Sequence, residues 1–124
     1  MGLKVLIADD EDDLVDVLRD RLEAYGFTVL TASTGREALE KLAAEPVDGI
    51  FLDVKMPELD GLATLDAIRR RDQQMPIIVV SASSHPHAAA DALAHGANAY
   101  VLKPFAWDDL KVTIEQIYHI TLER

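Results

Sequence analysis

Five short apolar runs rich in β-branched residues alternate along this chain with five segments of helical periodicity. The runs comprise residues 3–8, 27–32, 47–52, 76–80 and 99–102. Short apolar runs between turn residues are typical of buried strands, and strands that alternate with helices predict a parallel sheet with right-handed crossovers. The expected fold is therefore an α/β three-layer sandwich of the flavodoxin-like (βα)5 type, with strand order 2-1-3-4-5.

Local signals mark where the helices begin and end. Gly26 is placed to stop the first helix, and Thr34 with Glu37 has the spacing of a capping box that opens the second. Asp60 is a candidate N-cap for the third helix, and the alanine-rich residues 85–95 predict a weaker fourth helix. In the first helix, the apolar side chains at helical spacing are Leu14, Val17, Leu18, Leu22 and Tyr25.

The composition narrows the class of protein. The 124 residues contain no linker or low-complexity tract, so residues 1–124 are expected to be one domain. A formal net charge of -10 argues against nucleic-acid binding by this domain, because phosphate contacts need clustered lysine and arginine. The lack of cysteine excludes disulfides and thiol chemistry. The sequence also lacks a signal-peptide pattern and a run long enough to span a membrane, so a cytoplasmic protein is expected.

Polar residues follow four of the five predicted strands, where each strand ends. They are Asp9 and Asp10 after the first strand, Asp53 after the third, Ser81 after the fourth and Lys103 after the fifth. The carboxyl ends of parallel strands meet at one edge of the sheet, and neighbouring strands lie about 4.8 Å apart. In the expected strand order, Asp53 is therefore next to the acidic pair and to Ser81. The long side chain of Lys103 can reach the same pocket.

Three carboxylates in one pocket repel one another unless a cation neutralises them. Mg²⁺ suits such a pocket, because it prefers oxygen ligands, takes one or two carboxylates directly and retains several waters. Asp53 could then act as a nucleophile that forms an acyl phosphate. The cation, the Lys103 ammonium and the Ser81 hydroxyl would neutralise the oxygens of the transferred group.

Several motifs follow one another in a defined order on these elements. They are the acidic pair Asp9-Asp10, then Asp53 with Met56-Pro57 and Gly61, then Ser81-Ala82, and finally Tyr100 with Lys103-Pro104-Phe105. Over its whole length the chain resembles, through these motifs, the response-regulator receiver domains of two-component signalling. The serine at position 81 is a permitted variant of the threonine that is commoner in that family.

The resemblance implies a phosphorylation site with a bound metal. Asp53 would be the phosphoacceptor, and Asp10 would be a direct Mg²⁺ ligand. Asp9 would act largely through water, and the backbone carbonyl of Lys55 would complete the protein ligands of the metal. Mn²⁺ is a possible substitute for Mg²⁺.

The resemblance also implies a switch. Ser81 would be the switch hydroxyl, small Ala82 would leave space beside the phosphoryl group, and Lys103 would bind the phosphoryl oxygens. Tyr100 would be the aromatic residue whose rotamer reports the phosphorylated state. The face made by helix four, strand five and helix five would then change its affinity for an output partner.

Partners and output are implied in the same way. The phosphoryl donor would be a sensor histidine kinase or a phosphotransfer protein. The switching face would bind an output domain or a second copy of the chain, with no membrane contact. Residues 52–57 resemble receivers of DNA-binding activators, which makes transcription regulation a possible output. The domain would phosphorylate and dephosphorylate itself at Asp53 and would not be a turnover enzyme on an external substrate.

Three other functions remain open at this stage. A flavodoxin would share the fold, but its first loop must cradle a phosphate and here that loop is acidic. A haloacid-dehalogenase-like phosphatase would carry a general acid two residues after the nucleophile, where this chain has Lys55. A receiver-like module that is not phosphorylated would be expected to lack at least one of Asp10, Asp53 and Lys103.

Several residues also have simple structural interpretations. Glu11 and the two acidic residues after it are expected to favour the first helix through its dipole. Trp107 lies on the apolar stripe of the last helix and is interpreted as core. The basic run of residues 69–71 is interpreted as a solvated helix end, also favoured by the dipole. No metal role is assigned to the histidines at 85, 87 and 95.

Overall fold

The computed structural model describes residues 2–55 and 61–122. A five-stranded parallel sheet has the order β2-β1-β3-β4-β5, which confirms the predicted fold class. The strands are β1 Lys4–Ala8, β2 Thr28–Ala32, β3 Gly49–Leu52, β4 Ile77–Ser81 and β5 Ala99–Leu102. The helices are α1 Asp12–Ala24, α2 Gly35–Ala44, α3 Gly61–Arg71, α4 Ala88–Ala94 and α5 Trp107–Tyr118. Met56, Pro57 and the expected cap Asp60 lie outside the described residues.

Two hydrophobic cores cover the two faces of the sheet. Successive strand residues point to opposite faces, so Leu6 faces one core while Val5 and Ile7 face the other. The core that contains Leu6 is closed by α2, α3 and α4, and the core that contains Val5 is closed by α1 and α5. Strands β1, β3 and β4 are buried on both faces, which is why they read as continuous apolar runs.

Helix α1 ends as predicted, and Leu18 and Leu22 face the core, but Val17 does not. Its last turn closes at Tyr25, and Gly26 follows with a φ of 93°, a left-handed conformation that favours glycine. Val15, which is not among the residues at the predicted spacing, is buried, whereas Val17, which is among them, is 58% exposed. With 3.6 residues per turn the two valines are roughly 200° apart around the helix, and only one can face the sheet.

The capping box of α2 forms with one change of partner. Thr34 Oγ1 accepts a hydrogen bond from the N–H of Glu37 at 3.0 Å, as the spacing predicts. The Glu37 carboxylate accepts from the N–H of Ser33 at 2.7 Å, one residue before the cap. Both ends of the box therefore bind free N–H groups at the start of the helix.

Helix α4 is shorter than the sequence predicts. It covers seven residues, Ala88–Ala94, and the expected start at His85 is wrong because residues 85–87 belong to the preceding loop and turn. Pro86 lies in that turn, and the residue before a proline is disfavoured in a helix.

Arg69 is not the solvated residue that the sequence predicts. Its guanidinium donates to the carbonyl of Gly96 at 2.9 Å, to the carbonyl of Asp72 at 3.0 Å and to Oδ1 of Asn98 at 3.0 Å. Burial of the group lowers its pKa, although the carboxylate of Asp72 acts in the opposite direction. The side chain thus joins α3 to the turn between α4 and β5, whereas Arg70 and Arg71 are exposed.

Across residues 2–55 and 61–122, none of the helices is both long enough and apolar enough to cross a bilayer.

Candidate functional site

The residues that follow three of the strands are held at one edge of the sheet by main-chain hydrogen bonds. The N–H of Asp9 donates to the carbonyl of Ala32, and the N–H of Asp53 donates to the carbonyl of Ala8, both at 2.9 Å. The N–H of Lys103 donates to the carbonyl of Ser81 at 2.8 Å. Each bond continues the pairing of neighbouring strands by one residue, so the three side chains leave the sheet at the same edge.

Three carboxylates converge at this edge. One oxygen each from Asp9, Asp10 and Asp53 lies within 4.8 Å of the other two. Asp9 and Asp53 are buried, with 5% and 4% of their surface exposed, while Asp10 is exposed. Such a cluster of oxygen donors, open on one side, can hold a divalent cation. Lys55 is exposed, and its N–H donates to Oδ1 of Asp53 at 2.9 Å.

Lys103 reaches the same cluster from β5. Its Nζ lies 2.8 Å from Oδ2 of Asp9, 2.6 Å from Oε1 of Glu11 and 3.1 Å from Oδ2 of Asp53. The lysine side chain is only 8% exposed. The structure therefore brings together the acidic pair, Asp53 and Lys103, which the sequence places on three different strand ends.

Burial and charge act on the pKa values of this cluster. Burial raises the pKa of Asp9 above its ordinary value, and the charge of Asp53 adds to the effect, while the hydrogen bonds from Lys103 and from the Glu11 N–H oppose it. For Lys103, burial alone would lower the pKa. The hydrogen bonds to Asp9 and Glu11 and the charges of Asp9 and Asp53 outweigh burial and raise that pKa. The ammonium is thus held in its charged form.

Ser81 and Tyr100 both bind the main chain of Ser83. The Ser81 hydroxyl, which is fully buried at the end of β4, accepts from the N–H of Ser83 at 3.2 Å. The Tyr100 hydroxyl donates to the carbonyl of Ser83 at 2.6 Å. Ala82 is exposed between the two serines. One residue of the β4–α4 loop therefore connects the hydroxyl at the end of β4 with the aromatic residue on β5.

Glu11 is the site residue that sequence reasoning missed. It stands at the N-cap position of α1 but makes no side-chain cap hydrogen bond, and its carboxylate binds Lys103 instead. The interpretation of Glu11 as a residue that favours the helix dipole therefore leaves out its contact with Lys103. No local pattern could have indicated this contact, because the two residues are 92 positions apart in the sequence.

A groove of about 510 Å³ opens beside the cluster, between α1 and the start of α5. Its lining includes Glu11 and Lys103 at one end and the apolar side chains of Leu14, Val17, Phe105 and Trp107. Trp107 stacks against Tyr25 with ring centroids 6.0 Å apart and packs on the α1–α5 core, as the sequence predicts. Trp107 also lines the groove. The apolar side chains of α1 that face away from the sheet therefore border a groove that lies next to the carboxylate cluster.

Comparison with known proteins yields consistent matches. The family model described as "Response regulator receiver domain" matches residues 5–115. The transcriptional regulatory protein ZraR of Escherichia coli (strain K12) is 34% identical over 115 residues, which cover 93% of this chain and 26% of that protein. The alkaline phosphatase synthesis transcriptional regulatory protein PhoP of Bacillus subtilis (strain 168) is 36% identical over 117 residues, 94% of this chain and 49% of that protein. The chain therefore spans less than half the length of these relatives.

Solved structures agree with the fold. The receiver domain of the Francisella response regulator 1452 has a TM-score of 0.87 and 30% identity, covering 95% of this chain and 98% of that one. A CheY-like response regulator receiver domain protein from Methanospirillum hungatei JF-1 has a TM-score of 0.88 and 28% identity, covering 94% of this chain and 93% of that one. Both similarities extend over nearly the full length of the two chains compared.

Proposed function

Because this chain belongs to the family of response regulator receiver domains of two-component systems, we propose that Asp53 accepts a phosphoryl group from a sensor histidine kinase or a phosphotransfer protein. The observation that carries the proposal is the contact of Lys103 with Asp53 inside the cluster of Asp9, Asp10 and Asp53. A carboxylate oxygen of Asp53 attacks phosphorus, the bond from phosphorus to the donor histidine nitrogen breaks, and the imidazole leaves.

The donor set fits a hard divalent cation. Asp9, Asp10 and Asp53 supply oxygen, two of the three are buried, and their mutual repulsion favours a positive charge between them. We propose that these carboxylates hold Mg²⁺, with Mn²⁺ as a possible substitute, and that the carbonyl of Lys55 is a further ligand. When bound, the cation offsets negative charge on the transferring phosphoryl group.

The chain's own residues supply the remaining stabilisation. The Lys103 ammonium, kept charged by its acidic neighbours, neutralises a phosphoryl oxygen. The buried Ser81 hydroxyl turns from the N–H of Ser83 to a second oxygen, and the small Ala82 leaves room beside the group. These roles are general for the chemistry of phosphoryl transfer, in which positioning and charge neutralisation provide most of the catalysis.

The switch follows from the two bonds to Ser83. When Ser81 turns toward the phosphoryl group, the N–H of Ser83 loses its acceptor, and the β4–α4 loop can rearrange. The carbonyl of Ser83 then moves relative to the hydroxyl of Tyr100, which it now binds. We propose that Tyr100 changes rotamer in this step and transmits the state of Asp53 to β5, a local charge change that acts on a bistable element.

The output face is the one formed by α4, β5 and α5. Leu93 on α4, Leu102 on β5 and Val112 on α5 are each about half exposed, one on each element of this face. We propose that the face binds an output domain or a second copy of the chain. Relatives that are named as transcriptional regulators support transcription regulation through such an output, with no direct nucleic-acid contact by this domain.

The remaining proposals concern the chain as a whole. Residues 1–124 form one receiver domain, which acts in the cytoplasm and away from the membrane. Its only chemistry is phosphorylation and dephosphorylation of its own Asp53, with no turnover of an external substrate.

The direct test is phosphorylation by a small donor. With acetyl phosphate and Mg²⁺, intact-mass spectrometry should detect one phosphoryl group on the wild-type chain and none on Asp53→Asn. Asp20→Asn, which removes the same charge from the exposed side of α1, should be labelled like the wild type. Labelling of Asp53→Asn would place the phosphoacceptor elsewhere, and steady release of phosphate from small phosphomonoesters would indicate a phosphatase.

A further inference from the structure

The shortest contact of the Lys103 ammonium is with the residue that is least buried. The distance to Glu11 is 2.6 Å, against 2.8 Å to Asp9 and 3.1 Å to Asp53. The Glu11 side chain is 58% exposed, and those of both aspartates are 5% exposed. Glu11 thus binds the lysine from the solvent side of the cluster.

Three carboxylates lie close enough to the ammonium to compete for its N–H donors. A lysine side chain has three N–H donors and no acceptor. With oxygens of Asp9, Glu11 and Asp53 all within 3.1 Å of Nζ, a phosphoryl oxygen must compete with these carboxylates for the N–H donors of the ammonium.

The carboxylate that can leave most easily is that of Glu11. Asp9 and Asp53 are each fixed by a second bond, since their Oδ1 atoms accept the N–H groups of Glu11 and Lys55, both at 2.9 Å. The Glu11 carboxylate makes no cap bond to α1, and Glu11 lines the groove between α1 and α5. Its side chain can therefore rotate into solvent without breaking another bond that the structure describes.

From this geometry we infer that Glu11 is a positioning residue, which holds Lys103 in the unphosphorylated domain and competes with the incoming phosphoryl group for its ammonium. The inference rests on the proposed phosphorylation of Asp53. It predicts that Glu11 slows phosphorylation, because the Glu11 carboxylate must first leave Lys103. It also predicts that Glu11 shortens the lifetime of the phosphorylated state, because its carboxylate continues to compete with the phosphoryl group for the ammonium. An exposed ion pair of this kind changes an equilibrium by about 5-fold at most.

The first measurement uses the metal-free, unphosphorylated chain. Hydrogen exchange of the Lys103 ammonium with water can be followed by NMR of lysine labelled with ¹⁵N. Glu11→Gln should speed this exchange by up to about 5-fold. Glu11→Asp, which keeps the charge but is shorter by one methylene, should behave in the same direction. Asp13→Asn is the matched control, because it removes one charge from the exposed first turn of α1.

The second measurement is the rate of Asp53 phosphorylation by acetyl phosphate at saturating Mg²⁺. Glu11→Gln and Glu11→Asp should be phosphorylated up to about 5-fold faster than the wild type and lose phosphate more slowly, and Asp13→Asn should match the wild type. Unchanged ammonium exchange, slower phosphorylation of the Glu11 variants, or equal effects of Asp13→Asn would each refute the inference. If the wild-type chain were not labelled at all, the proposed function would fail and the competition with it. Labelling without a Glu11 effect would refute the competition alone.

Discussion

Replacement of Lys103 by methionine tests the electrostatic account of the cluster most directly. The ammonium lies 2.8 Å from a carboxylate oxygen of Asp9 and 3.1 Å from one of Asp53, and all three side chains are buried. At an effective dielectric constant of about 20, each of these contacts corresponds to roughly 5–6 kcal/mol of Coulomb attraction before the cost of desolvation. The variant loses this attraction but also loses the cost of burying the ammonium.

What remains in Lys103→Met is a pair of buried carboxylates without a counterion. Removing one partner of a buried ion pair costs about 3–5 kcal/mol, because the other charge is left uncompensated. We therefore expect the free energy of unfolding, measured in EDTA, to fall by about that amount. The contact with exposed Glu11 adds at most about 1 kcal/mol.

Magnesium should reverse much of this loss. In the wild-type chain a cation must compete with Lys103 for Asp9 and Asp53, and in the variant it need not. Saturating Mg²⁺ should therefore stabilise Lys103→Met by at least about 2 kcal/mol more than it stabilises the wild type, which corresponds to a roughly 30-fold tighter affinity.

The assay is urea unfolding followed by far-ultraviolet circular dichroism, in EDTA and in Mg²⁺. Lys111→Met is the control, since it removes the same charge from α5, where Nζ lies 5.9 Å from the ring centroid of Tyr25. A loss below about 1 kcal/mol in EDTA, or an equal gain from Mg²⁺ in both proteins, would refute the reasoning. Either result would mean that Lys103 and the cation do not share the same carboxylates.

Two further predictions concern the scaffold. Arg69→Ala should lower the free energy of unfolding by about 2 kcal/mol, because three hydrogen bonds from a partly buried guanidinium are lost, while exposed Arg70→Ala should change it by less than about 0.5 kcal/mol. Equal urea midpoints for the two variants would contradict the role given to Arg69. Glu37→Ala should cost about 0.5–1 kcal/mol at pH 7. The N–H of Ser33 lowers the pKa of Glu37, so this stabilisation is present above its ordinary value of 4.5 and is lost as the pH falls through the folded-state value. A cost that is the same at pH 7 and pH 3 would exclude the carboxylate as its source.

The parts of the fold that the sequence predicts are those set by local periodicity and by topology. The apolar runs predict the strands, the strand order follows from the flavodoxin-like topology, and the order brings Asp53 next to the acidic pair. The site can thus be predicted from the sequence, because its residues occupy equivalent positions at the ends of strands that are neighbours in the sheet. The ends of the strands can be located in the sequence without knowing how the side chains are arranged.

The residues whose environment the sequence does not predict are mostly those whose contacts are with distant parts of the chain. Arg69 and Arg70 are alike in the sequence, and only the packing of α3 against the turn after α4 separates a residue with three bonds from an exposed one. Val15 and Val17 differ in the same way, since a rotation of α1 by part of a turn exchanges their roles. Glu11 contacts Lys103 at the edge of the sheet where the strands end. Rotation about a helix axis and contacts between distant elements are not encoded in any local pattern.

The connection between Ser81 and Tyr100 could not be predicted from the identity of the side chains, because it passes through the main chain. The sequence indicates both ends of the proposed switch, since Ser81 follows β4 and Tyr100 lies on β5. In the structure their common partner is the main chain of Ser83, which offers its N–H to one and its carbonyl to the other. Every residue other than proline carries both groups. A link of this kind therefore places little demand on the side chain at position 83, and it depends on the length and course of the β4–α4 loop. The coupling would be conserved by geometry even where the residue that carries it varies.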